Sequence, residues 1–200
     1  MKLILSKIKT YFGKLDKLLL FMCMGIAFFA VFIQYTLYEN DISSAVTASQ
    51  YKTQIIAFIA GIVIAMALAA INYKYLAKLW FIYVPLAMGL TLLLFTPLGI
   101  QREGADDIGW LDLGIMTIQP SEILKLAFIL SLAVHLSKVE DRMNEPIHFI
   151  LLCIHGAIPT LLIRQTGDDG SALVFLFIFI CMMFAAGLSW KYLVMIAVAI

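Results

Sequence analysis

The chain has 200 residues, of which 63% are apolar, 12% aromatic and 14% charged, with a formal net charge of +1 and a mean hydropathy of +0.99. That composition excludes a soluble globular domain. No basic strip interleaved with aromatics is present, so nucleic acid is not an expected partner.

Crossing a hydrocarbon core takes about 20 apolar residues. On that measure the chain reads as an all-α, polytopic transmembrane helical bundle, with six complete spans plus the start of a seventh. Residues 1–17 form a Lys-bearing cytoplasmic tail. Spans are expected near 18–38, 54–71, 75–95, 120–136, 147–163 and 171–188, with a further run from 192 to 200 and onward. The segment 96–118 reads as a long loop, and Pro146 opens the fifth span. The first apolar run is too long for a signal-peptide core and lacks a small-residue cleavage site, so it is read as an uncleaved span. Cys23, Cys153 and Cys181 lie in apolar runs without metal or disulfide spacing and read as buried small side chains.

Orientation follows the Lys/Arg bias. With the N-terminus cytoplasmic, the inside segments hold Lys2, Lys7, Lys9, Lys14, Lys17, Lys74, Lys78, Lys138, Arg142 and Lys191, against Lys52, Arg102 and Arg164 outside. The loops at 39–53, 96–118 and 164–170 then face out. The run from Tyr192 is about half the length of a span, so the chain reads as a single membrane domain, 1–200, incomplete at its C-terminus.

The most informative stretch runs from Gly104 through Trp110 to Gly114, then through Gln119, Pro120, Ser121 and Glu122 to Lys125. A polar loop leads straight into an apolar helix that starts with Pro120, where a missing N–H costs nothing. Glu122 and Lys125 then sit three residues apart on one face of a membrane span. Charges there are expensive and usually face the protein interior. The pair suits either a polar cavity that orients a phosphate or sugar, or a staple between helices. Trp110 suits either an interfacial anchor or a stacking surface for a sugar. Asp168 and Asp169, between Gly167 and Gly170, can hold a divalent cation, although a solvated turn is the preferred reading. Arg164 either assists a pyrophosphate or snorkels to water. His155, with Gly156 and Pro159 in the fifth span, reads as a hydrogen-bonded packing residue rather than a proton relay.

These residues resemble the signature of the SEDS family, the shape, elongation, division and sporulation proteins of RodA, FtsW and SpoVE type. That family carries a loop of the type N-G-A-x-R-W-I-x-L-G followed by Q-P-S-E-x-x-K. Gly104-Ala105, Trp110-Leu111 and Leu113-Gly114 match the first part, and Gln119-Pro120-Ser121-Glu122 with Lys125 match the second. Asp168 to Val174 resembles a third family segment. The chain departs where the family has a basic residue before the Trp, which is Gly109 here, and again at Gly167 and Asp169.

The resemblance implies a peptidoglycan glycosyltransferase, a hexosyltransferase that polymerises lipid II at the outer face of the bacterial cytoplasmic membrane beside a class B penicillin-binding protein. It implies roles in cell elongation, division or sporulation without separating them. Glu122, Lys125, Trp110, Arg164, Ser121 and Gln119 become the cavity and substrate-binding candidates, with Asp168 as a further one. A divalent cation, Mg²⁺ or Mn²⁺, is implied by the resemblance alone, and no metal ligands are assigned. The family's essential acidic residue is expected beyond Ile200, so no catalytic base is assigned and the 200-residue chain is expected to be inactive alone. Two other readings stay open: a flippase or transporter of the lipid-linked precursor, and a non-catalytic scaffold for the penicillin-binding protein.

Overall fold

The computed structural model describes residues 16–40, 48–102, 104–114 and 117–192. The chain is mostly helical and divides into two compact units, Met1–Asn72 and Tyr73–Ile200.

In the first unit, α1 (Lys17–Glu39) and α2 (Ala48–Ala70) pack against each other. Asp16 caps α1: its Oδ1 accepts the Leu19 N–H at 3.0 Å, satisfying one of the four N–H groups a helix start leaves open. No residue of α1 is buried, as befits a helix apolar on all sides with lipid for a neighbour. At one end, Tyr51 lies parallel to Tyr38 at 6.1 Å and tilts towards Tyr35 at 5.7 Å. Such amphipathic rings suit the headgroup level. Helix α2 starts six residues before the expected span, because Gln50, Tyr51 and Lys52 are helical yet too polar to register as membrane core.

The second unit begins with α3 (Tyr73–Lys78) and α4 (Trp80–Leu92), which closes in a 3-10 turn at Leu93–Phe95. The single span expected at 75–95 is thus two helices, broken at Leu79 (φ −87°, ψ 12°). A three-stranded antiparallel sheet follows: β1 (Gly99–Ile100), β2 (Trp110–Asp112) and β3 (Thr117–Ile118). Ile100 pairs with Trp110 and Leu111 with Ile118. The chain is mostly helical, as expected, and within it part of the long loop is folded, around a Leu111 only 1% exposed. Gly99 lies so close to the Leu94 carbonyl that no Cβ fits there.

Helices α5 (Pro120–Lys138), α6 (Pro146–Arg164) and α7 (Asp169–Ala185) complete the unit, each within about two or three residues of its expected ends. Their core is dry: Leu132, Leu152, Phe175 and Met183 are all 0% exposed. Helix α7 stops in a Schellman turn. Gly187, at φ +88°, donates to the Phe184 carbonyl, and Leu188 donates to the Met183 carbonyl at 3.1 Å.

Among the described residues, four helical stretches, Lys17–Glu39, Gln50–Ala70, Pro120–Lys138 and Pro146–Arg164, are long and apolar enough to cross a membrane; Trp80–Phe95 and Asp169–Ala185 are apolar but shorter. The seventh run expected at 192–200 and most of the tail expected at 1–17 lie outside the described residues.

Gly156 sets the spacing of α6 and α7. A Cβ built there would lie 2.7 Å from Cδ2 of Phe179, well inside van der Waals contact. Overpacking a closed core costs about 1–3 kcal/mol. Gly156→Ala is therefore expected to lower the unfolding temperature of the detergent-solubilised protein, and adding Phe179→Leu is expected to recover part of the loss. An unchanged melting curve for Gly156→Ala would show that the helices do not meet at this point.

Candidate functional site

The sequence-predicted residues gather at the end of the second unit where α5 begins. Gln119 occupies the N-cap with extended backbone (φ −99°, ψ 104°), and its side chain makes no capping bond. Pro120 and Ser121 are buried in the first turn. Ser121 Oγ is enclosed without a hydrogen-bond partner. Leaving a buried hydroxyl unpaired costs roughly 1–3 kcal/mol.

One turn on, Lys125 Nζ and Glu122 Oε1 form an ion pair of 2.6 Å. The two partners are unequally placed: the Lys125 side chain is 19% exposed and that of Glu122 60%. The ammonium is thus partly desolvated while its carboxylate reaches outward. A charge-assisted bond this short holds the lysine in one direction. The location also matters: Glu122 lies in the first turn of α5, where the free N–H groups carry partial positive charge. The geometry gives a fixed cation beside a helix start, an arrangement that attracts anionic oxygen.

Trp110 projects from β2, and the register explains its partner. Because Ile100 faces Trp110, Arg102 falls on the diagonal across the strand pair. Its guanidinium carbon lies 3.4 Å from the ring centroid. Arg102 Nη2 also reaches Thr117 Oγ1 at 3.5 Å, spanning towards β3. Sequence reasoning missed this residue, since the cation next to Trp110 comes from just beyond β1 rather than from position 109. At Gly109 itself, the Asp107 carboxylate fills the space a side chain would enter. The loop is in turn tied to the α6–α7 connection: the Ile108 N–H donates to the Thr166 carbonyl at 2.9 Å. Gly167, at φ +87°, packs over Asp107.

The remaining candidates are more ordinary. Asp168 caps α7, its Oδ1 accepting the Ser171 N–H at 2.7 Å. Arg164 is 70% exposed and stands 3.6 Å from Asp169 Oδ1, a surface pair of small energetic weight. Lys125 and Arg164 are thus held by separate carboxylates. The fit for a divalent cation is poor here: one Asp168 oxygen is committed to the cap and Asp169 faces a guanidinium. Among the described residues no group of three or more His, Cys, Asp or Glu side chains is clustered for metal binding.

His155 lies deeper, between α5 and α6. The Ser131 hydroxyl donates to the Phe128 carbonyl at 3.1 Å, which leaves it to accept from His155 Nε2 at 3.0 Å. His155 Nδ1 then presents a lone pair to His135 Nδ1, 3.1 Å away. The histidine is a satisfied packing residue at the wall of a cavity of about 300 Å³ that Pro159 and Leu124 also line.

Residues 14–200 match the FtsW/RodA/SpoVE family profile, described as "Cell cycle protein". The chain is 30% identical to the probable peptidoglycan glycosyltransferase FtsW of Trichlorobacter lovleyi, over 86% of this chain and 46% of that protein. It is 26% identical to the peptidoglycan glycosyltransferase MrdB of Escherichia coli K12, over 92% of this chain and 47% of that one. The chain therefore spans about half the length of these curated relatives. Among solved structures it is similar to the rod shape determining protein RodA of Thermus thermophilus, with a TM-score of 0.65, 24% identity and coverage of 87% of this chain and 58% of that one. A chain from a peptidoglycan synthase complex, studied for the coordination of polymerization and crosslinking, gives a TM-score of 0.68 at 24% identity, covering 89% and 51%. At that identity the likeness speaks to fold alone. Apolar helices of spanning length and this kinship make the chain a multi-pass membrane protein.

The Arg102–Trp110 stack is open to a double-mutant cycle. Arg102→Gln and Trp110→Leu, alone and together, are expected to show a coupling of about 0.5–1 kcal/mol in chemical unfolding. Strict additivity would mean that the guanidinium and the ring do not touch in solution.

Proposed function

Since the chain belongs to the FtsW/RodA/SpoVE cell cycle protein family, we propose that it forms the N-terminal half of a peptidoglycan glycosyltransferase that polymerises lipid II at the outer face of the bacterial cytoplasmic membrane. The role falls in elongation, division or sporulation, beside a class B penicillin-binding protein. The names of the curated relatives support the activity, and the synthase-complex neighbour supports the partnership.

The topology proposed with it has six crossings, the start of a seventh, and a cytoplasmic N-terminus. The Lys/Arg bias supports that orientation. In it, α3 with α4, and the 17-residue α7, act as the two shorter crossings.

The observation that carries the reading is the partly desolvated Lys125, held by Glu122 near the start of the helix that follows the Trp110 sheet. In the proposed reaction a sugar 4-hydroxyl attacks an anomeric carbon and undecaprenyl pyrophosphate leaves. Negative charge grows on the leaving pyrophosphate, and a preorganised cation there lowers the barrier. Lys125 meets that need, held by Glu122 and assisted by the N–H groups at the start of α5. Ser121 and Gln119 offer a hydroxyl and an amide at the same helix start. Trp110, backed by Arg102, offers a flat face to a sugar ring, and Arg164 is a second cation at the same end. The base that takes the hydroxyl proton is not assigned to these residues. A divalent cation, Mg²⁺ or Mn²⁺, is proposed from the resemblance alone, and no step is routed through it.

The test uses the full-length protein with purified lipid II and its partner synthase. Lys125→Ala is expected to lower the polymerisation rate about 100-fold, the scale for losing one charge-stabilising contact. Lys125→Arg is expected to retain part of the activity. A folded Lys125→Ala protein that polymerises at the wild-type rate would remove Lys125 from the reaction. Lipid II translocation into vesicles with no polymer would make the protein a transporter instead.

A further inference from the structure

The opposite end of the second unit holds a cavity of about 530 Å³ between α3 and the C-terminal half of α5. Its rim carries Lys74, Lys78, Ser137 and Lys138. Lys74 and Lys78 are four residues apart, so they share one face of α3. Lys138 Nζ sits 5.7 Å from the Trp80 ring, which places an aromatic at the same level. The inner wall is apolar, formed by Leu130, Ala133 and Val134. From Lys138 down to Leu130 the helix descends eight residues, or about 12 Å. The cavity is therefore graded, cationic at the mouth and hydrocarbon-like below.

Two of its cations, Lys78 and Lys138, have no carboxylate beside them. No acidic residue lines it. Among the described residues, no carboxylate forms an ion pair with Lys78 or Lys138. The free carbonyls at the end of α5 add partial negative charge worth about half a unit, too little to offset the two ammonium groups of Lys78 and Lys138. Like charges brought together at a membrane border need a counter-ion, and the apolar wall specifies what kind. A soluble phosphate would satisfy the rim and leave the wall without a partner. An acyl chain alone would satisfy the wall and leave Lys78 and Lys138 without a counter-ion.

We propose that this groove binds an anionic glycerophospholipid of the inner leaflet, with its phosphate at Lys78, Lys138 and Ser137 and the top of one acyl chain against Ala133 and Leu130. Basic pockets between membrane helices recognise acidic headgroups in this way, each lysine adding about 5-fold in affinity. The Lys/Arg bias assigns this end to the inside, so the site lies across the membrane from the Glu122–Lys125 pair. It stands whether or not the chain is part of a glycosyltransferase.

The experiment titrates the detergent-purified protein with short-chain phosphatidylglycerol and phosphatidylcholine, reading bound lipid by native mass spectrometry. Phosphatidylglycerol is expected to bind at least 10-fold more tightly. Lys78→Gln with Lys138→Gln is expected to weaken phosphatidylglycerol about 30-fold and leave phosphatidylcholine unchanged. Lys78→Arg with Lys138→Arg is expected to preserve binding. Ala133→Phe, which fills the wall and leaves the charges in place, is expected to weaken it as well. Equal binding of the two lipids would overturn the proposal. So would full displacement by millimolar inorganic phosphate, or an Ala133→Phe protein that binds as wild type.

Discussion

A helix in hydrocarbon bonds its backbone internally, and the problem is deferred to its ends, where four N–H and four C=O groups lack partners. Most of what is specific about this chain happens there. Asp16 and Asp168 close the starts of α1 and α7 with side-chain oxygens. Gly187 and Leu188 close the end of α7 with backbone N–H groups. Where α5 begins, no side chain caps the helix, and Ser121 is left without a partner. That helix start is also where the ion pair and the small sheet converge. The candidate site thus sits at a helix start that no side chain caps, as is also true of the start of α6.

The helices were largely legible because hydropathy reports burial in lipid directly. The starts of α5 and α6 follow from Pro120 and Pro146 at first-turn positions, and the end of α7 from Gly187 just past it. Less legible was everything decided by shape. The break at Leu79 follows Lys78, and a lone lysine near the end of a long apolar run reads as snorkelling rather than as a helix end. The sheet escaped notice because its strands are two or three residues long, too short for an alternating pattern to appear. What shows in hindsight is Gly99, which the Leu94 carbonyl requires, and Leu111 as a buried apolar residue in a loop with several acidic residues.

The site was legible in part. The Glu122–Lys125 spacing announced a pair on one helix face, and the pair forms. Its asymmetry, with the cation the less exposed partner, was not readable, because it depends on what packs beside each side chain. Gly109 in place of a basic residue suggested a loop without a cation near Trp110. Arg102 reverses that impression, from a position meaningful only once the strand register is known. Asp168, weighed as a metal ligand, serves as a cap.

The origin of the cation above Trp110 bears on how this loop tolerates change over evolutionary time. A basic residue adjacent to the tryptophan survives any shift of the surrounding chain, because the two travel together. A cation delivered across a strand pair does not. If the Ile100–Trp110 pairing slipped by one residue, every side chain of that strand would swap faces, and Arg102 would point away from the ring. Point substitutions among the acidic residues of 104–107 would leave the stack intact, whereas a deletion or insertion drawn into the pairing would abolish it. The stack thus depends on the length of the hairpin rather than on its spelling.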